Sequence, residues 1–155
     1  MNDREILQAK WESGYCPLIN GVTFEDGIIE RLEIDRVPRG EIVVERAGAT
    51  TLAEFLSENA NAFSALTEYC VLELPDRRLR LTSGGGSGGG DGYIAASDLA
   101  TNYLRWILFI DDANEFGKLG LHNEAIIAET NLRETWEISL ANPGDIVVHA
   151  KNEWD

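Results

Sequence analysis

The stretch Tyr103-Leu-Arg-Trp-Ile-Leu-Phe-Ile-Asp111 reads as a β-strand that is apolar on nearly both sides. Leu104, Trp106, Leu108 and Ile110 fall on one face of a two-residue period. Tyr103, Arg105, Ile107 and Phe109 fall on the other, and only Arg105 is charged. A strand with hydrophobic side chains on both faces belongs in the middle of its sheet. Around it the period of two predicts further strands near Cys70 to Leu74, Arg77 to Thr82, Gly92 to Ser97, Ala125 to Thr130, Thr135 to Leu140 and Ile146 to Ala150. Pro75-Asp76 and Asn142-Pro-Gly-Asp145 supply turns. The connections are short, and parallel neighbours would need long crossovers, so an antiparallel meander is expected.

The N-terminal third continues the pattern. A short helix is expected around Glu5 to Trp11, followed by Val22-Thr-Phe24 and a run beginning at Ile28, separated by Glu25-Asp-Gly27. Asp-Gly between apolar runs marks a hairpin, because glycine accepts the positive φ of such turns. Val37-Pro-Arg-Gly40 marks a second, joining Ile28 to Asp35 with Glu41 to Arg46. Thr51-x-x-Glu54 has the form of a capping box, and Leu52, Phe55, Leu56, Phe63 and Leu66 make a helical stripe behind it. The expected fold class is therefore α+β: a mostly antiparallel meander sheet with one main amphipathic helix, Thr51 to Glu68, packed on it. We expect a single domain over residues 1–155 with one core, containing a glycine-rich loop at 83–92.

The chain has 27 acidic against 13 Lys and Arg side chains, a formal charge of -14. Residues 1–82 carry 15 acidic and 9 basic groups, and residues 83–155 carry 12 and 4, so the excess is denser after the glycine run. Anionic lipid and nucleic acid both repel such a chain, and no basic stripe or aromatic RNA-binding motif offsets the repulsion. No apolar run approaches the ~20 residues that cross a bilayer. Cys16 and Cys70 are too few for a disulfide framework, and MNDREILQ lacks the basic and apolar regions of a secretory signal. Free thiols in the cytoplasm are expected.

Four segments offer chemistry. Ser83-Gly-Gly-Gly-Ser-Gly-Gly-Gly-Asp91-Gly92 reads either as an engineered tether or as a native loop or strand edge. As an anion cradle it lacks the Gly-Lys-Ser/Thr of a phosphate loop and carries an acid, Asp91. Gly85-Gly-Ser-Gly-Gly89 satisfies G-x-S-x-G, yet a nucleophile elbow needs a helix after its strand, and only His122 and His149 are available as a base. Asp111-Asp-Ala-Asn-Glu115 gathers oxygen ligands without the spacing of a calcium loop. Two histidines compose no zinc site. No catalytic constellation, cofactor motif or metal site emerges, which favours a binder over an enzyme.

A small acidic α+β domain that is rich in Trp and edged by carboxylate loops resembles the immunity proteins of bacterial polymorphic toxin systems. The resemblance covers the general build and the stretch from Gly92 through Trp106, Asp111, Asn131, Trp136 and Pro143. It implies a non-enzymatic inhibitor that covers a basic toxin domain with an acidic surface. Asp91, Asp111, Asp112 and Glu115 would rim that interface, with Trp106 or Trp154 as aromatic anchor. The alternative is a small-molecule or metal-binding domain with its pocket between the 51–68 helix and the sheet. Exposed sheet edges also leave a homodimer open.

Overall fold

A computed structural model describes residues 1–37 and 41–150. Its elements are α1 (Asp3–Glu12), β1 (Tyr15–Pro17), β2 (Gly21–Phe24), β3 (Ile28–Arg36), β4 (Ile42–Thr51), α2 (Leu52–Glu58), β5 (Phe63–Leu74), β6 (Leu79–Gly86), β7 (Gly92–Asp98), β8 (Leu104–Ile110), β9 (Phe116–His122), β10 (Ala125–Thr130), β11 (Glu134–Ser139) and β12 (Ile146–Ala150). Strand makes up 57% of the chain, and every pairing is antiparallel. The α+β class and the antiparallel sheet hold.

Eight strands form one sheet in the order β1-β5-β6-β7-β8-β2-β3-β4, and the other four form a second in the order β12-β11-β10-β9. Each consecutive run is a meander, as the short turns require. The joins between runs, β8 to β2 and β1 to β5, are not sequential. As its two apolar faces demand, β8 lies in the interior of the large sheet, between β7 and β2.

The expected single core is replaced by two. On one face of the large sheet Trp106, Leu108, Ile110, Leu81 and Ile94 pack against Phe116, Ile126, Trp136 and Ile138 of the small sheet. The Phe116 and Trp136 rings meet edge to face, 5.4 Å between centroids. On the other face Leu104, Ile107, Phe109, Tyr93 and Ala95 pack against Leu7 of α1 and Leu52 and Phe55 of α2. Leu104 reaches the helix side because the β7–β8 register shifts between Ala96 and Ser97, leaving Arg105 out of the ladder. Arg105 turns to solvent and pairs with Glu25 at 2.9 Å.

The first hairpin forms as expected, with Gly27 at φ +92° between β2 and β3. In the second, β3 pairs with β4 from Ile28–Thr51 to Arg36–Ile42; its Pro38-Arg-Gly40 turn lies outside the described residues. The 51–68 helix is corrected. Only Leu52–Glu58 is helical, and Phe63 to Glu68 belong to β5. Asn59 caps the helix by donating its side-chain amide to the Phe55 carbonyl, and Asn61 takes a left-handed φ of +59°. The β5–β6 ladder then outweighs the helical stripe, which Phe63 and Leu66 fit only by spacing. Half of the capping box survives: the Glu54 N–H donates to Thr51 Oγ1 at 3.2 Å, while the Glu54 carboxylate accepts from Thr50. A complete box, Asn2 with Glu5, starts α1.

Among the described residues no helix is long and apolar enough to cross a membrane. Cys16 and Cys70 are both free. Burial pushes the Cys16 thiol far above its ordinary value, and the nearby Asp91 carboxylate adds to it, so this sulfur stays protonated.

Candidate functional site

The glycine run is a built part of the sheet. Ser83 to Gly86 complete β6, paired with β5 on one side, and Gly92 opens β7. A β-carbon on Gly84 would overlap the Thr67 carbonyl oxygen, because the register shift between Glu68 and Cys70 brings the β5 backbone across it. Gly85 lies under the Glu115 side chain, and Gly86 lies against the Asp91 carboxylate and Ser64 Oγ. Gly89 and Gly90, at φ +67° and +88°, make the connecting turn. The elbow reading fails on this topology, since a strand and not a helix follows Ser87. The Ser87 hydroxyl sits 3.2 Å from Ser64 Oγ, and Ser83 Oγ donates to the Phe116 carbonyl.

The carboxylates expected at an interface divide. Asp91 is 5% exposed and accepts from the Gly88 N–H at 2.9 Å, so it holds the turn together from inside. Trp106 is 6% exposed and belongs to the inter-sheet core. Neither can rim or anchor an interface. Glu115 is half-buried over Gly85. Asp111 and Asp112 are exposed. Asp111 exchanges two hydrogen bonds with Asn20, its N–H donating to Oδ1 at 2.8 Å and its Oδ1 accepting from Nδ2 at 3.1 Å. Asp112 is 3.3 Å from Arg36 Nε, and Arg36 Nη1 is 3.0 Å from Glu134. Burial works against the Arg36 charge, but the Glu134 and Asp112 carboxylates outweigh it and hold the guanidinium pKa above its ordinary value. Trp154 lies outside the described residues.

Topology extends this acidic end. β8 is antiparallel to β2, which is antiparallel to β3, so β8 and β3 finish at the same end of the sheet. The end of β3, at Arg36, therefore stands beside Asp112. Across that hairpin Glu33 lies directly opposite Glu45, both exposed, and neither has an ion-pair partner among the described residues. Asp35, two residues on, is also exposed. Like charges facing across strands destabilise the ladder that holds them. Sequence reasoning missed these three residues, although the signal was present: Glu33 and Glu45 are each six positions from Arg39, the centre of the expected turn.

A second feature lies on the helix side, toward the opposite edge of the sheet from β3 and β4. A cleft of about 210 Å³ opens between the end of α1 and strands β5 to β7, where it is lined by Trp11, Glu12, Leu66, Glu68, Arg80, Thr82, Tyr93 and Asn102. Trp11 Nε1 donates to the Asn102 carbonyl at 2.9 Å, which fixes the indole as a wall. Burial pushes the Tyr93 phenol well above its ordinary value. The Thr82 hydroxyl opposes that rise without a well-formed hydrogen bond, and the Glu68 carboxylate adds to it. Tyr93 is thus a neutral O–H donor at any physiological pH. The pocket expected against a 51–68 helix has no helix beyond Glu58 to form it; Asn61 and Phe63 of that segment instead line a pocket with Ile6, Lys10 and Tyr15.

Among the described residues no three of His, Cys, Asp and Glu converge to hold a metal ion. His122 is exposed, and His149 lies 3.5 Å from Glu137 on the surface. Comparison with family models, with curated proteins and with solved structures finds no match to this chain.

Proposed function

We propose that this chain is a non-enzymatic protein-binding domain whose acidic sheet end docks a basic partner, as an immunity-type inhibitor covers a toxin. The observation that carries the reading is the unneutralised Glu33–Glu45 pair on β3–β4, with Asp35 beside it and Asp111 and Asp112 at the end of β8, across β2. A like-charge pair opposes its own hairpin, and a cationic partner reverses the sign of that term on binding. Val43, 40% exposed among these acids, supplies apolar contact. The interface so drawn retains Asp111 and Asp112 and replaces Asp91 and Trp106 with the hairpin face.

The test compares capture of basic proteins from the native host by the wild-type chain and by the triple variant Glu33→Lys, Asp35→Lys, Glu45→Lys. At low salt the wild type retains a basic protein that a high-salt wash releases, and the variant loses at least about tenfold of it. Equal retention by both chains, or no basic protein on either, overturns the reading.

A further inference from the structure

We propose that the cleft beside α1 binds a small zwitterion of amino-acid size, its carboxylate on Arg80, Thr82 and Tyr93 and its ammonium on Glu12 and Glu68. Buried polar side-chain atoms in folded proteins are paired as a rule. Among the described residues four lack a hydrogen-bond partner: Glu30 Oε1, Arg80 Nε, Thr82 Oγ1 and Ser97 Oγ. The first has Arg46 Nε at 2.9 Å as its ion pair. The other three occupy adjoining positions on one face of the sheet. Arg80 lies directly across from Ser97, and Thr82 is two residues along the same strand. Thr82 is only 3% exposed and lines the cleft. Of these three residues Arg80 and Thr82 line the cleft, so two unpaired buried polar side chains meet at one cavity.

The charges on the walls select the ligand. Among the described residues Arg80 has a single carboxylate within ion-pair reach, Glu73 at 4.0 Å, and its side chain lines the cleft. With the Thr82 and Tyr93 hydroxyls it forms a donor set for a carboxylate, to which guanidinium adds a charge-assisted bond. Glu12 and Glu68 line the same space and would repel a simple anion, while Arg80 would repel a simple cation. A molecule carrying both charges satisfies both walls. Trp11 and Leu66 give apolar surface for a short side chain, and about 210 Å³ suits a molecule of amino-acid size. The cleft lies over β5 to β7, with β8 and β2 between it and the acidic hairpin face, so this site stands independently of the proposed partner interface.

The experiment follows thermal unfolding and the Trp11 indole N–H resonance of the whole chain. The probes are glycine, L-alanine, L-serine, L-leucine, L-glutamate and L-lysine, added singly, with propionate and propylamine as single-charge controls. At least one amino acid at saturation raises Tm by about 3 °C or more and shifts the Trp11 resonance, while neither control does. Arg80→Met lowers that affinity about tenfold or more. Thr82→Val guards against a folding artefact. Its hydroxyl makes no well-formed hydrogen bond, so the free variant keeps a Tm close to the wild type, while affinity falls about fivefold. The proposal is overturned by no response to any amino acid, by propionate or propylamine acting as strongly as the best amino acid, or by unchanged affinity in both variants.

Discussion

At Gly84 the smallest side chain in the chain's vocabulary meets the tightest contact. The β5 backbone crosses so closely that the Thr67 carbonyl occupies the place of a β-carbon. Gly84→Ala is therefore expected to cost about 3 kcal/mol, since the obstacle is a backbone group held in a ladder. Urea denaturation measures this, and a loss under ~0.5 kcal/mol would mean that β5 moves aside freely. The sequence showed a run of glycines and could not show what they lie against, because a close approach involves a partner 17 positions away. Asp91 is the same lesson in another residue. Read from sequence as part of an interface rim, its carboxylate is instead held by the Gly88 N–H and lies against Gly86 of β6.

Among the elements, strong periodicity was readable and contact-dependent structure was not. The β8 strand announces its interior place because both faces are apolar, and the ends of β10 and β12 agree with the alternation read from sequence. By contrast β9, Phe-Gly-Lys-Leu-Gly-Leu-His, went unrecognised because Gly117 and Gly120 dilute its pattern; its pairing with β10 makes it a strand. The 51–68 helix fails for the opposite reason, a good local pattern outvoted by nonlocal pairing. The β3–β4 hairpin supplies a measurable consequence. Replacing Glu33 by Lys sets unlike charges opposite each other, and we expect the isolated protein to gain about 0.5 kcal/mol. Loss of stability in a chemical melt would contradict the register of Glu33 with Glu45. The outer edge of β5 beyond β1 is blunted by the extra residue Tyr69 and by Glu68 and Glu73, as exposed edges commonly are.

For the molecule as a whole the charge of -14 acts on folding as well as on partners. Self-repulsion opposes the compact state and is screened by salt. Raising NaCl from ~0.01 to ~0.3 M should lift Tm by about 3 °C, equivalent to about 1 kcal/mol for a chain of this size. An unchanged or lower Tm would show that the nine Lys and Arg ion pairs among the described residues already compensate the excess. The three layers, helices over the large sheet over the small one, meet along β6, β7 and β8. The glycines at 84–86 lie in that seam, and this bears on heredity as much as on stability. Every missense change in a glycine codon introduces a β-carbon, so position 84 has no gentle neighbour in the genetic code. Glycines that on paper invite a protease, a fusion tag or a drifting lineage are, at 84 to 86, closed in by their neighbours and resist being opened, extended or rewritten.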